Sequence, residues 1–264
     1  MEPINSDVRS FAQMLESLGE GISASDADIY NCPLCRDTGW ISDGFSARLC
    51  DCRKNQEQSN SGLPPKLAKA TFANFRLDKY STEAIPNREI SYRKLAEHAL
   101  QSMKDFVNTC ISGGHPHGII LSGPTGCGKT HLVAAAANYL QQHGIEALFL
   151  VVPEFLDQLR DSYRRENEGQ SEAELIKQAY DAPVLILDDL GAHNFTEWVQ
   201  NKLFTIINYR LNHELPCLIT TNLNLQTMGS SIGNRTVSRL MEDCYSLPLS
   251  VKQDIRMQMH QEMK

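Results

Sequence analysis

Three things are missing from this 264-residue sequence. No stretch approaches the ~18 apolar residues that a membrane-spanning helix needs, which argues against a membrane protein. There is no basic excess. The 25 Lys and Arg are outnumbered by 32 Asp and Glu, for a formal net charge of −7. That disfavours non-specific coating of duplex nucleic acid, although a local basic groove stays compatible with it. The opening residues, Met1 to Asp7, have neither the basic region nor the apolar core of a secretory leader. A cytoplasmic location is the expectation, and with it eight cysteines kept as reduced thiols or metal ligands rather than disulfides. Hydrophobic residues at 41% and charged ones at 22% are ordinary for a globular chain, and the length allows one large or two small domains.

What is present is organised around Gly123-Pro124-Thr125-Gly126-Cys127-Gly128-Lys129-Thr130. It fits G-x-x-x-x-G-K-[ST] at every fixed position. The apolar run Gly118–Ser122 precedes it, and Leu132, Val133, Ala136, Ala137 and Leu140 follow at helical spacing before Gly144. Strand, glycine loop and helix are the context the motif requires. The glycines let the backbone form a nest of N–H groups that receives phosphate oxygens, and the helix adds its positive end. Lys129 would meet the β- and γ-phosphates and the Thr130 hydroxyl a Mg²⁺ ion. The expected nucleotide-contacting stretch runs from Gly123 through His131.

Upstream, residues 5–18 carry Val8, Phe11, Ala12, Leu15 and Leu18 on one stripe. That helix either packs on its own domain or docks on a partner. Cys32, Cys35, Cys50 and Cys52 form a C-x-x-C and a C-x-C within 21 positions. Four thiolates at ~2.3 Å would make a closed tetrahedral zinc site that supplies folding energy to a small module. A redox C-x-x-C is the rival reading, but it does not require the second pair. The polar stretch from Arg53 to about Pro65 reads as a linker. Residues 1–62 are therefore assigned to an N-terminal helix with a cysteine module, and 63–264 to a second domain.

Downstream, strands alternate with helices. Ala147–Val152 is a strand and residues 154–165 a helix, followed by a helix ending near Tyr180. Val184-Leu185-Ile186-Leu187 is a buried strand that ends in Asp188-Asp189. A helix with Trp198, Leu203 and Ile207 leads to the strand Cys217–Thr220, followed by Thr221-Asn222. Such alternation makes an α/β fold with a parallel sheet, whose ligands sit beyond the carboxyl ends of the strands. The glycine loop, the acid pair and Asn222 all fall on that edge. A carboxylate there needs a positive partner. Asp188 suits Mg²⁺, Asp189 suits polarisation of an attacking water, and the pair could instead cap the next helix. Asn222 can position the water or touch the γ-phosphate. Arg235 and Arg239 are spaced i, i+4 on one helix face, as an arginine finger for a neighbouring subunit or as a solvated pair.

The order CPLC…CDC, ATFANF, GPTGCGKT, LILDDLG, ITTN and GNRTVSRL resembles the AAA+ replicative helicase loaders of the DnaC/DnaI type, and also IstB, a transposition helper ATPase. The likeness covers roughly residues 30–256. It implies an ATPase with a P-loop parallel sheet flanked by helices, preceded by a small zinc-binding domain that docks on a hexameric helicase. It implies the cofactors ATP, Mg²⁺ and Zn²⁺, with single-stranded DNA and further copies of the chain as partners. By the same resemblance Asn222 is the first sensor, Arg239 the trans finger with Arg235 beside it, and Arg256 a nucleotide contact within Asp254-Ile255-Arg256. The family's DNA-binding helical element would correspond to residues 154–180, offering Arg160, Tyr163, Arg164 and Arg165. Arginines interleaved with an aromatic suit backbone pairing and base stacking, and they equally suit a solvated helix face.

Overall fold

The computed structural model describes residues 40–42, 47–49, 61–162, 170–191 and 195–262. The chain divides into two compact units, Met1–Asn60 and Ser61–Lys264. In the first, β1 (Trp40–Ser42) pairs antiparallel with β2 (Ala47–Leu49), with Ile41 opposite Arg48. This ribbon lies in sequence between the two cysteine pairs. Cys32, Cys35, Cys50 and Cys52 themselves fall outside the described residues, as do the stretch 5–18 and Tyr163, Arg164 and Arg165.

In the second unit, α1 (Tyr92–Ile111) starts at Ser91, whose hydroxyl accepts the Lys94 N–H, an N-cap that satisfies one orphan donor. Then come β3 (Gly118–Ser122), α2 (Lys129–Gln142), β4 (Ala147–Val151), α3 (Val152–Ser162), α4 (Glu172–Asp181) and β5 (Val184–Asp188). They are followed by α5 (Glu197–Asn212), β6 (Cys217–Thr221), α6 (Leu225–Ile232), α7 (Asn234–Asp243), β7 (Cys244–Pro248) and α8 (Ile255–Glu262). The Ser171/Glu174 capping box fixes the start of α4.

The five longer strands make one sheet, ordered β4-β5-β6-β3-β7, in which every neighbouring pair is parallel. Side chains alternate between its faces. Ile119, Leu121, Phe149, Ile186 and Leu218 join α1 and α2 on one side. Ile120, Leu148, Leu185, Leu187 and Ile219 join α3 to α7 on the other. Burial on both faces explains why the strands read as unbroken apolar runs. Each fully buried Leu or Ile contributes roughly 1.5–3 kcal/mol.

The sequence reading had no counterpart for β7. Of its five residues only Cys244 and Leu247 are buried, Tyr245 is 62% exposed, and Pro248 ends it. A short half-exposed edge strand carries too little apolar signal to be read from sequence. The opposite edge is touched by the chain entering the unit: the Phe149 N–H donates to the Ser61 carbonyl at 2.6 Å.

Candidate nucleotide site

The glycine loop joins the end of β3 to the start of α2. Gly126 and Gly128 have φ of +72° and +94°, which L side chains rarely adopt. A Cβ on Gly126 would lie 2.0 Å from the Asp254 carboxyl carbon, and one on Gly128 2.7 Å from the Tyr80 hydroxyl. The left-handed backbone demands glycine at both positions, and at Gly128 the Tyr80 hydroxyl and the Phe75 ring also leave a Cβ no room. Pro124 and Thr125 form the exposed crest of the loop, and Cys127 lies buried beneath it.

Lys129, the first residue of α2, is only 7% exposed. Its Nζ donates to the Gly123 carbonyl (2.8 Å), the Pro124 carbonyl (2.9 Å) and Asn222 Oδ1 (2.6 Å). Burial pulls the ammonium below its usual range, against Cys127, Asp189 and Asp188, which raise it. Three neutral oxygens thus hold a buried cation at the mouth of an N–H-rich loop. That arrangement favours an incoming polyanion.

Beyond it, Thr130 Oγ1 donates to Asp188 Oδ1 at 3.0 Å, and Thr220 Oγ1 donates to the same oxygen at 2.7 Å. Burial raises the Asp188 carboxyl; the two hydroxyl donors and Lys129 lower it, and Asp189 adds to the rise. A buried carboxylate bonded to hydroxyls, beside the Thr130 oxygen, is a hard-oxygen donor set that fits Mg²⁺. Among the described residues no group of three or more His, Cys, Asp or Glu is arranged to hold a metal, so the set would be completed by phosphate and water oxygens, as Mg²⁺ sites usually are.

Asp189 follows in a left-handed backbone conformation, φ +61°. Its N–H donates to Thr220 Oγ1 at 2.9 Å, and its Oδ1 accepts from Asn222 Nδ2 at 3.0 Å. Asn222 therefore bridges Lys129 and Asp189. The strand ends bring Lys129, Thr130, Asp188, Asp189 and Asn222 together on one edge. Thr220, which bonds the Asp188 carboxylate and the Asp189 backbone, reads in the sequence only as part of a strand.

The remaining candidates lie elsewhere. His131 turns towards the Thr71 carbonyl (3.2 Å) and the Phe75 ring (5.9 Å between centroids). On α7, Arg239 donates to Asn208 Oδ1 at 2.9 Å, to Asn212 and to Glu242. Arg235 lies 4.2 Å over the Phe204 ring. Both arginines thus rest on α5, on a stripe spaced by four residues. The Arg256 side chain is exposed in the first turn of α8, and its N–H donates to Asp254 Oδ1 at 2.8 Å. The N–H of the preceding Ile255 donates to the Gly126 carbonyl at 3.0 Å, which seats the start of α8 on the loop. Arg160 is exposed and paired with Asp157 at 3.1 Å.

Residues 76–254 match the family described as IstB-like ATP binding protein. The chain belongs to this family. Among the curated relatives of this IstB-like protein is the replicative helicase loader DnaI of Bacillus subtilis. It is 32% identical over 125 residues, spanning 47% of this chain and 39% of that protein. The replicative helicase loader DnaC of Escherichia coli is 26% identical over 206 residues, 78% of this chain and 77% of that one. A crystal structure of a DnaC helicase loader superposes with a TM-score of 0.56 at 25% identity, covering 70% of this chain and 99% of that one. A DnaI structure gives 0.55 at 26%, over 71% and 94%. AMPPCP-bound DnaA from Aquifex aeolicus, at 20% identity and a TM-score of 0.57, shares the fold. No helix among the described residues is long and apolar enough to cross a membrane.

Proposed function

We propose that this chain is an ATP-dependent loader that delivers a hexameric replicative helicase onto single-stranded DNA, with ATP hydrolysis as a timing switch. The observation that carries the reading is the match to DnaC across 78% of the chain.

In this reading Lys129 exchanges the Gly123 and Pro124 carbonyls for β- and γ-phosphate oxygens. The exchange favours binding, because a buried ammonium gains an anionic partner in a low-dielectric site. Thr130 and Asp188 would hold Mg²⁺, which when bound neutralises phosphate charge. Asp189, aimed by Asn222 and by its own N–H bond to Thr220, orients and deprotonates the attacking water. Arg239 serves the nucleotide of a neighbouring copy after leaving Asn208, Asn212 and Glu242, with Arg235 beside it. Arg256 approaches the nucleotide from α8. Arg160, with Tyr163, Arg164 and Arg165, would line the single-stranded DNA. Cys32, Cys35, Cys50 and Cys52 would hold Zn²⁺ in a helicase-docking module of residues 1–62, a proposal that rests on their spacing and on the family resemblance.

The test is a loading assay with the full chain, its cognate helicase, single-stranded DNA and MgATP. The loader should place helicase on DNA, and Lys129→Ala should fail to cycle. Unchanged loading and turnover with Lys129→Ala would refute the proposal. The family description favours one second reading, an IstB-like transposition helper. Failure of any helicase to bind the full chain would favour that one.

A further inference from the structure

Two carbonyls in the middle of the loop are pinned by two separate segments of the chain. The Gly126 carbonyl accepts the Ile255 N–H from α8 at 3.0 Å. The Cys127 carbonyl accepts the Tyr80 hydroxyl at 2.7 Å, and Tyr80 is 1% exposed. Nothing in the loop motif requires this phenol, which reaches the loop from a segment 47 residues earlier.

Tyr80 is itself held on three sides. Its N–H donates to the Leu77 carbonyl at 3.1 Å, and its carbonyl accepts Arg93 Nε at 3.3 Å. Its ring lies 5.5 Å from that of Phe75. Burial pushes its phenol far above the ordinary tyrosine range, so the hydroxyl stays a proton donor at every working pH.

A trans peptide points its C=O and the following N–H in opposite directions, and the described residues contain no cis peptide. Anchoring the Cys127 carbonyl in the interior therefore turns the Gly128 N–H outward, to the side where the loop receives an anion. Gly128 itself can adopt many backbone conformations, so without an anchor this peptide plane could rotate and the donor would be lost from the nest. We propose that Tyr80 is a positioning residue for the phosphate-binding loop: it fixes the Cys127–Gly128 peptide so that the Gly128 N–H is aimed at the bound phosphates. This rests on the ATP-binding reading of the loop. The segment around Tyr80, before α1, thereby becomes part of the nucleotide site.

The sequence allows a direct test, because Cys127-Gly128 is its only Cys-Gly step. Protein carrying ¹³C-carbonyl cysteine and ¹⁵N-glycine gives one correlated signal, from this peptide alone. In the wild type, Mg²⁺ with a non-hydrolysable ATP analogue should move the Gly128 amide proton downfield while the Cys127 carbonyl keeps its hydrogen-bonded shift. Tyr80→Phe, which removes only the hydroxyl, should shift the carbonyl signal before any nucleotide is added. It should also weaken MgATP binding on the order of tenfold, the scale of one lost hydrogen bond. Unchanged affinity and an unchanged signal in Tyr80→Phe would overturn the proposal. If Tyr80→Phe does not fold, the wild-type titration decides alone, and an unmoved Gly128 amide at saturation would overturn it. A wild type that binds no MgATP would instead refute the ATP reading beneath it.

Discussion

The two ends of the central sheet each hold a buried cation, and they use it in opposite ways. At the carboxyl ends of the strands, Lys129 is held by three neutral oxygens beneath an open loop. At the other end, Arg210 is fully buried. It donates to the carbonyls of Ala179, Tyr180, Ala182 and Pro216 at 2.8–3.1 Å and to Cys217 Sγ at 3.3 Å. The guanidinium thereby caps the orphan carbonyls at the end of α4 and ties that end to the entry of β6. All three guanidinium nitrogens are spent on the fold. Burial of a charge is thus no sign of function by itself. What separates the two ends is whether the neighbours can be exchanged for a ligand.

The largest expected effect is at Lys129. Lys129→Ala should lower ATP turnover on the order of 10³-fold, the scale of losing one preorganised charge contact. Thermal unfolding without nucleotide should be unchanged or slightly raised, since the three oxygens that Lys129 bonds are neutral and its own burial opposes its charge. A large loss of stability would put Lys129 in the same class as Arg210 and break the contrast. Next is Arg210→Met, which leaves four carbonyls without this donor at ~1–3 kcal/mol each if they stay dry. A net loss of at least about 3 kcal/mol is expected, with a midpoint lower by roughly 6–12 °C. MgATP affinity measured in the cold should be retained.

Asp188→Asn should separate function from stability within one residue. Hydrolysis should fall on the order of 10²-fold, while the nucleotide-free protein gains a few degrees. The sign follows from burial, which raises the folded carboxyl above its ordinary 3.8. The folded state keeps its proton where the unfolded state has lost it. Stability therefore falls as pH rises through that interval. Asp188→Asn should flatten this part of the pH–stability profile, and an unaltered slope would contradict the assignment. The smallest effect is Arg239→Ala, which breaks a partly exposed contact set on α5 and should cost under about 1 kcal/mol. Its consequence should emerge in mixtures: Arg239→Ala copies combined with Lys129→Ala copies should regain some turnover. No recovery would remove the trans finger.

The same contrast explains what was legible in the sequence. Lys129, Thr130, Asp188, Asp189 and Asn222 could be read because local motifs and strand ends fix them on one edge of a parallel sheet. The strands of the α/β core could be read because both faces are buried and the runs are apolar. Arg210 was silent, since a basic residue in the last turn of an amphipathic helix looks like any solvated arginine or dipole partner. Tyr80 was silent because its segment has no periodicity and its contact is distant in sequence. Thr220 and β7 were concealed by brevity. The placement of Arg235 and Arg239 on Phe204, Asn208 and Asn212 needed the packing of α7 on α5, which no spacing rule supplies.

The most direct measurement is calorimetric titration of MgATP, in the cold, into the full-length wild type, Lys129→Ala and Arg210→Met. The wild type and Arg210→Met should each bind one equivalent with similar affinity, and Lys129→Ala should show no measurable heat of binding. Undiminished binding by Lys129→Ala, or binding lost with a folded Arg210→Met, would contradict the assignment of the two ends of the sheet.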